Sequence, residues 1–453
     1  MVLTEPALVV PDDLAWTLWG ADPYADGLRP VSDAGSAHRV LLPDHLPAPL
    51  SDALRLLVED LPADRRVEVR PAPALGGRRL ERVLAGRLVD ADDGDEEGGG
   101  HEGDDHGDMM AIAGSPGSDG LVMEAIETTV GPLAGPLPGG LVVSARLVGD
   151  VVEDCRVDAL LEAGESATVR PPDALTPSAW RAVLGAASGQ RPERPSDAVA
   201  AVELERAVSH VAWLRTLARL LGWAALVDGC TAALTALAVA RRGGPGAANE
   251  LDRSLDALAS LRGAVRGRRM AVRTRGRAVV DAETVAAQGL AGPVARAAGH
   301  AEDARSGDAA YAALGFAPVV EHDGDARART ILRHAEAVAA VELAGAALAC
   351  RDARTDPLPA PFADGAGGWV VEGPRGPLRA RREDGTNADG FAVAGTGTNA
   401  DGFAVAGTGA LRVAAPGAAA LRGVAARSAV GEEWAGALVC LVSFDLSPWR
   451  VGE

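Results

Sequence analysis

The segment 289–336, GLAGPVARAAGHAEDARSGDAAYAALGFAPVVEHDGDARARTILRHAE, constrains the fold more than any other part of the chain. A Gly-Pro step leads to Arg296, an Asp303/Arg305 pair follows, then Tyr311, and Gly324-Asp325 opens an arginine-rich helix expected at 326–350. That helix carries Leu332, Ala335, Ala339, Leu343 and Ala346 at steps of three and four, which makes one apolar face. Further helices are expected at 228–242 and 248–266. A longer one begins after Pro195-Ser196, with Ser196 as its expected N-cap. On that helix Leu204, Ala207, Val211, Leu214, Ala218 and Leu221 form one stripe, and Glu205, Arg206, Ser209 and His210 lie off it. His210 is therefore read as a surface or capping hydrogen-bonder in preference to a ligand.

Strand patterns flank the helices. LVVSARLV (141–148) and VVEDCRV (151–157) enclose Gly149-Asp150, the pattern of a hairpin with a glycine-first two-residue turn. Residues 1–88 read as a small mixed α/β unit, with an amphipathic helix at 49–60 and a strand near 67–70. Residues 89–108, VDADDGDEEGGGHEGDDHGD, hold too little apolar surface to offset their ordering entropy and are expected to be a disordered linker ahead of a body at 109–453. His101 and His106 within that run are read as solvated, since ligands on such a segment make no preformed metal site. Between 385 and 408 the twelve residues GTNADGFAVAGT occur twice in tandem, a duplication that lengthens a surface hairpin loop. Gly395-Thr396-Gly397 imitates half of a dinucleotide fingerprint but has no following helix, so it carries no weight.

Composition removes several function classes. The chain contains no lysine, so all 44 basic residues are arginine, which excludes Schiff-base, phosphate-loop and lysine-base chemistry. A net charge of −19 argues against a nucleic-acid binder. Cys155, Cys230, Cys350 and Cys440 stand far apart with no C-x-x-C, which gives no disulfide framework, zinc site or cysteine-held cluster. The first residues lack a charged n-region, so no signal peptide is expected, and Arg215, Arg219 and Asp228 disfavour a membrane span at 211–242. Seven arginines crowd 262–277, RGAVRGRRMAVRTRGR. No aromatics interleave them, so docking to an acidic partner subunit or an anionic lipid surface is the functional reading, beside that of a solvated helix end.

Four blocks in order carry a family resemblance: GPLAGPLPGGLVVSARLVGDVV (131–152), ELERAVSHVAWLRTLARLLG (203–222), the 289–336 segment, and SFDLSPWRVGE (443–453). Together they resemble the family that unites the quinone-site subunit of respiratory complex I with the large subunit of nickel–iron hydrogenases. The resemblance implies an α+β fold: a predominantly helical hydrogenase-large-subunit-like body with peripheral antiparallel strands, preceded by the small α/β unit. It implies a subunit of a membrane-associated NADH:quinone oxidoreductase-like complex, on the cytoplasmic side and peripheral to the inner face of the membrane through its partners. Those partners are an iron–sulfur subunit and membrane subunits. The iron–sulfur cluster is expected in the neighbouring subunit, any quinone at a subunit interface, and no cofactor on this chain itself.

The departures fall on the chemistry. Leu446 and Trp449 stand where the hydrogenase C-terminal cysteine pair would fall, and no first pair is visible. Residues 131–140 hold no histidine and 155–165 no tyrosine, the two residue types suited to a quinone headgroup. What matches is charged: Arg296, Asp303, Arg305, Asp325, Arg329, Arg333, Glu336 and, near the C-terminal end, Asp445. One reading makes them cavity-lining or proton-linked groups, since clustered buried charges shift one another's pKa. The other makes them an ion-pair network that orients the 326–350 helix. Arg333 and Glu336, three apart on one face, are expected to meet and to bond Asp303 or Asp325. Two functions follow: an oxidoreductase subunit active only within its complex, or a catalytically inert scaffold of such a complex.

Overall fold

The computed structural model describes residues 5–9, 28–30, 39–43, 45–46, 66–70, 78–79, 115–116, 122–123, 125–132, 137–162, 194–242, 247–350, 356–362, 369–382, 391–393, 411–414 and 417–450. In the leading segment β1 (Glu5–Val9), β2 (Leu28–Pro30), β3 (Arg39–Pro43) and β5 (Arg66–Arg70) form a parallel sheet in the order β2-β1-β3-β5, and β4 (His45–Leu46) pairs with β6 (Arg78–Arg79). The strand expected near 67–70 is β5. The helix expected at 49–60, the acidic run 89–108 and the second copy of the repeat lie outside the described residues. A short pair, β7 (Ser115–Pro116) and β8 (Val122–Met123), precedes the next sheet.

That sheet holds β9 (Ala125–Val130), β10 (Leu141–Val148) and β11 (Val151–Ala159), antiparallel with β10 central. Gly149 turns the β10–β11 hairpin at φ +66°, a left-handed conformation that suits glycine, as the Gly-Asp signal predicts. Leu141, Val143, Ala145 and Leu147 alternate inward from β10. β12 (Leu161–Glu162) later pairs in parallel with a strand near the C-terminal end.

The body is helical. α1 (Pro195–Leu220), α2 (Ala224–Arg242) and α3 (Ala247–Arg266) follow one another, and α1 packs along α8 (Ala326–Cys350) as the most extensive helix contact of the fold. Between α3 and α8 lie α4 (Arg268–Thr274), α5 (Ala282–Gln288), α6 (Gly292–Ala297), a 3₁₀ turn at Ala304–Gly307 and α7 (Ala309–Ala313). The helix expected at 326–350 is observed with those bounds. The α1 N-cap differs from expectation: Arg194 occupies it, and Pro195 takes the first helical position. Ser196 instead gives its N–H and its hydroxyl to Asp356 Oδ2 at 2.9 and 2.7 Å. α2 is long and apolar enough to cross a membrane by length and composition, with mean hydropathy 1.4 over Ala224–Arg241, and it packs between α1 and α3.

A second sheet closes the body, with β13 (Trp369–Gly373), β14 (Gly376–Arg382), β15 (Phe391–Val393) and β16 (Leu411–Ala414) in the order β13-β14-β16-β15. α9 (Ala418–Ala429) and α10 (Trp434–Ser443) come next, and β17 (Trp449–Arg450) pairs with β12. The tight β13–β14 hairpin presses against the start of α6. Gly292 sits at φ +69°, and a Cβ there would lie 2.4 Å from the Arg375 carbonyl oxygen. Gly292→Ala is accordingly expected to destabilise the chain by more than the about 1–2 kcal/mol of left-handed strain alone, because the hairpin must also move. A melting temperature unchanged in the variant would contradict that packing.

The first copy of the tandem repeat supplies β15, which pairs antiparallel with β16, Phe391 facing Val413. Deleting either copy yields the same sequence and shortens the β15–β16 connection from residues 394–410 by twelve residues. Loop closure costs about 0.6 kcal/mol per doubling, so the deletion is expected to be neutral or stabilising by about 1 kcal/mol. A large fall in melting temperature would show that both copies are packed.

Candidate functional site

The eight charged residues that match the family pattern are all buried. Arg296 and Arg329 are wholly inaccessible, and Asp303, Arg305, Asp325, Arg333, Glu336 and Asp445 are buried with them. They separate into two groups.

The larger group is a continuous network. Arg296, at the end of α6, faces three carboxylates: Glu336 at 2.6 Å, Glu372 at 2.8 Å and Asp303 at 3.1 Å. Asp303 is gripped from the other side by Arg305, whose Nη2 stands 2.8 Å from Oδ2 and whose backbone N–H reaches Oδ1 at 3.0 Å. Arg305 continues to Glu203 of α1 at 3.1 Å, and Glu203 also meets Arg206 at 3.1 Å and accepts the Tyr311 hydroxyl at 2.8 Å. Arg206 gives its Nη groups to the backbone carbonyls of Gly373 and Glu372, which fixes the β13 end of the hairpin. On the α8 side, Glu336 lies 3.0 Å from His210 Nε2, and Arg333 donates to His210 Nδ1 at 3.1 Å. Arg333 then pairs with Asp445 at 2.9 Å, as does Arg375 from the hairpin turn. Five guanidinium groups (206, 296, 305, 333, 375) thus meet five carboxylates (203, 303, 336, 372, 445), with formal charges in balance.

Arg333 and Glu336 do not bond each other as expected, nor does either reach Asp303 or Asp325 directly. His210 stands between them, because its ring enters from α1 at the height of both side chains. Its burial corrects the surface reading: α1 is enclosed on most sides, so Glu203, Glu205, Arg206 and His210 are all interior although they lie off the apolar stripe.

Asp325 and Arg329 belong to a second, structural group. Asp325 caps α8, accepting the Ala328 N–H at 2.7 Å, and it also takes the Gly276 N–H at 2.7 Å. Arg329 donates to the Gly324 and Ala278 carbonyls at 2.8 and 2.9 Å and to the Ser443 hydroxyl at 2.7 Å, with its guanidinium 4.3 Å over the Phe444 ring. This pair fastens the start of α8 to the end of α10.

Electrostatics separates the groups further. Burial raises the Glu336 pKa, but Arg296 and the His210 ring 3.0 Å away outweigh it and hold the carboxyl well below its usual range. Asp303 is likewise lowered, with Arg305 and Arg296 overcoming burial. Glu372 goes the other way: burial, helped by the Asp303 charge, raises it against Arg296. His210 is pushed down to about 4 by burial, with Arg333 and Arg206 adding to the effect and Glu336 opposing it, so its ring is neutral near pH 7. Nε2–H then faces Glu336, and Nδ1 accepts from Arg333. Burial also lowers Arg333 while Asp445 opposes it, and the guanidinium keeps its charge because arginine does not lose its proton near neutrality. Asp445, at φ +52° just past α10, is lowered because Arg375 and Arg333 outweigh burial.

One end of the network reaches a pocket. Arg375 and Asp445 line it with Leu290, Gly417, Leu421 and Ser447, enclosing about 460 Å³ including its open mouth. Its lining contains neither histidine nor tyrosine. Tyr311 is buried 108 residues along the chain from its partner Glu203, with burial and the Glu203 charge raising its pKa well above 10. Among the described residues no group of three or more His, Cys, Asp or Glu is disposed to hold a metal ion. The four cysteines are free, Cys230 and Cys440 buried in α2 and α10. A thiolate-held metal centre does not fit these residues.

Glu203, Arg206, Glu372 and Arg375 are the network members that motif reading missed. The available signals were the Glu203–Arg206 spacing of three on a helix and the V-V-E-G-P-R-G-P-L hairpin, where Glu and Arg flank a Gly-Pro turn.

Residues 247–353 match the family model described as respiratory-chain NADH dehydrogenase, 49 Kd subunit. That stretch contains α3 to α8 and therefore Arg296, Asp303, Arg305, Arg333 and Glu336. No curated protein sequence matches the chain. Among solved structures, the fold is similar to a chain of the membrane-bound sulfane sulfur reductase, an archaeal respiratory membrane complex. The TM-score is 0.55 at 18% identity, over 72% of this chain and 97% of the other.

Proposed function

We propose that this chain is a subunit of a membrane-associated, NADH:quinone oxidoreductase-like respiratory complex, in which it provides a rigid, charge-balanced interior and no metal ligands of its own. The observation that carries the reading is the coincidence of the family-model match at 247–353 with the buried network built on α6 and α8. A subunit coupled to electron transfer next door can use groups held far from their ordinary pKa. On this reading residues 109–453 form the body, and 1–88 a separate leading unit. An iron–sulfur subunit and membrane subunits are its partners, the cluster belongs to the former, and the chain lies on the cytoplasmic face.

The residues present divide the two forms of this proposal. Quinone at an interface beside the Arg375–Asp445 pocket would meet arginine, carboxylate and Ser447, without the histidine and tyrosine suited to a headgroup. The inert-scaffold form is favoured by that lining.

Purification of the tagged chain in mild detergent is expected to bring with it a cluster-bearing subunit and membrane subunits. Metal analysis of the isolated chain is expected to give no stoichiometric nickel or iron. Recovery as a lone monomer under all mild conditions would sink the proposal, and about one nickel per chain would overturn the reading of the ligand set. Quinone-dependent turnover of the complex that survives Ser447→Ala and Arg375→Gln unchanged would assign the scaffold role.

A further inference from the structure

The arginine surface at the α3–α4 corner is not used by the network. Arg262, Arg266, Arg268, Arg269, Arg273 and Arg275 are all exposed. Among the described residues Arg262, Arg268, Arg273 and Arg275 form no ion pair, and Arg266 reaches only Glu321 at 3.9 Å. Val272 and Val279, 68% and 57% exposed, add an apolar element between them. The field is felt inside, since His334 is lowered first by burial and then by Arg266 and Arg262 against its bond to the Leu258 carbonyl. In a chain of net charge −19, a surface of this sign needs a counterpart.

The chain holds one. Residues 90–108 contain ten carboxylates, Asp90, Asp92, Asp93, Asp95, Glu96, Glu97, Glu102, Asp104, Asp105 and Asp108, followed directly by Met109, Met110 and Ile112. The described residues that follow the run lead toward the arginines. β9 begins at Ala125, which faces Val148 of β10 at the hairpin turn. On the other side of the turn Val151 bridges to Glu433, and Asp150 accepts the Trp434 N–H at 2.7 Å. Glu432, next in line, pairs with Arg277, two residues after Arg275. Ala125 is thus linked to the arginine surface through two backbone pairings and the Glu432–Arg277 side-chain pair. β7 and β8 pair Ser115 with Met123, two residues before Ala125, so the reach is set by the chain ahead of Ser115. The seven steps from Asp108 to Ser115 extend up to about 24 Å, and each residue back toward Asp90 adds about 3.4 Å.

We propose that the arginine surface formed by Arg262, Arg266, Arg269, Arg273 and Arg275 is the docking site of the chain's own acidic run, residues 90–108, with Met109 to Ile112 covering Val272 and Val279. Tethering makes the association intramolecular, with an effective concentration in the millimolar range, so many individually weak exposed pairs suffice. It is electrostatic and therefore screened by salt. An acidic partner subunit or an anionic lipid surface must compete with this run for the same arginines.

The absence of lysine supplies the test. In the full-length chain Arg273→Lys and, separately, Arg275→Lys keep the charge on an exposed position and introduce the only side-chain amine in the molecule. A zero-length carbodiimide then joins that amine to whatever carboxylate is in ion-pair contact, and peptide mapping identifies it. The expected product is an intrachain amide to a carboxylate of residues 90–108. Its yield should fall roughly tenfold at about 1 M salt, where the screening length is about 3 Å. The product should vanish when the ten carboxylates are replaced by their amides. Coupling to carboxylates elsewhere in the chain, coupling between two copies, or no coupling by an amine that still reacts with an acylating dye would each overturn the proposal.

Discussion

Arg296→Ala is expected to abolish the fold of the body or its assembly. Arg296 is fully buried and is shared by Glu336, Glu372 and Asp303, which come from α8, β13 and the loop before the 3₁₀ turn. Removing one partner of a buried pair costs about 3–5 kcal/mol, because the charge left behind stays out of water. Here three carboxylates lose the same partner at once, and whole-domain stability is typically only about 5–15 kcal/mol. Asp303 keeps Arg305, and Glu336 keeps His210, but Glu372 retains only the Ala304 N–H at 3.1 Å. The comparison is Arg146→Ala: its pair with Glu153, at 3.3 Å, has side chains 43% and 39% exposed and is expected to contribute about 0–1 kcal/mol. Denaturant unfolding of both variants decides the matter. An Arg296→Ala chain as stable as Arg146→Ala would mean that the network is hydrated and open.

The second large effect is acid sensitivity that starts well above carboxylate pKa values. His210 falls from 6.5 to about 4 in the folded chain, so the unfolded chain takes up the proton first. Stability is therefore complete above about pH 6.5 and is lost as the pH falls toward 4, by about 3 kcal/mol from this group. His334, also lowered, adds in the same direction. Asp303 and Glu336 are lowered too; their contribution is present above the unfolded carboxylate range and drains below it, so the decline continues rather than levels. Melting temperature should stay level from pH 7.5 to about 6.5 and then fall down to pH 4.5. In His210→Gln, which keeps a donor toward Glu336, the slope between pH 6.5 and 5 should be shallower. A flat profile, or an identical slope in the variant, would remove His210 as the cause.

The parts of this arrangement that sequence could reveal are those whose signals are local. Gly324-Asp325 before an arginine-rich helix and the Asp303/Arg305 spacing each depend on a few adjacent residues; α8 appears where the first points, and Arg305 does bond Asp303. Glu203 and His210 were hidden because stripe analysis assumes a helix with one wet face, whereas α1 is covered by α8, α2 and α10. Glu372 and Arg375 were hidden because a short hairpin announces its turn but not what the turn rests against. Their partners lie 76 and 70 residues away, and only the close approach at Gly292 brings them in. The Ser196 cap failed for a similar reason, since Asp356 satisfies that end of α1 from across the fold.

The equal number of cations and anions in the network restricts how this interior can change by mutation. A single replacement leaves an odd charge, and so each one taken alone is costly. Removing one cation together with one anion restores neutrality, so the double variant should cost less than the sum of its two single variants. Arg333 with Asp445, or Arg296 with Glu336, would show this as a large favourable term in a double-mutant cycle, within the range of about 0.5–3 kcal/mol found for coupled neighbours. Replacing such a set by apolar residues of like volume is often neutral or stabilising. The interior is thus isolated by epistasis: neighbouring sequences in which one member alone is altered are poorly stable, while sequences in which pairs are exchanged are viable but lie two substitutions away.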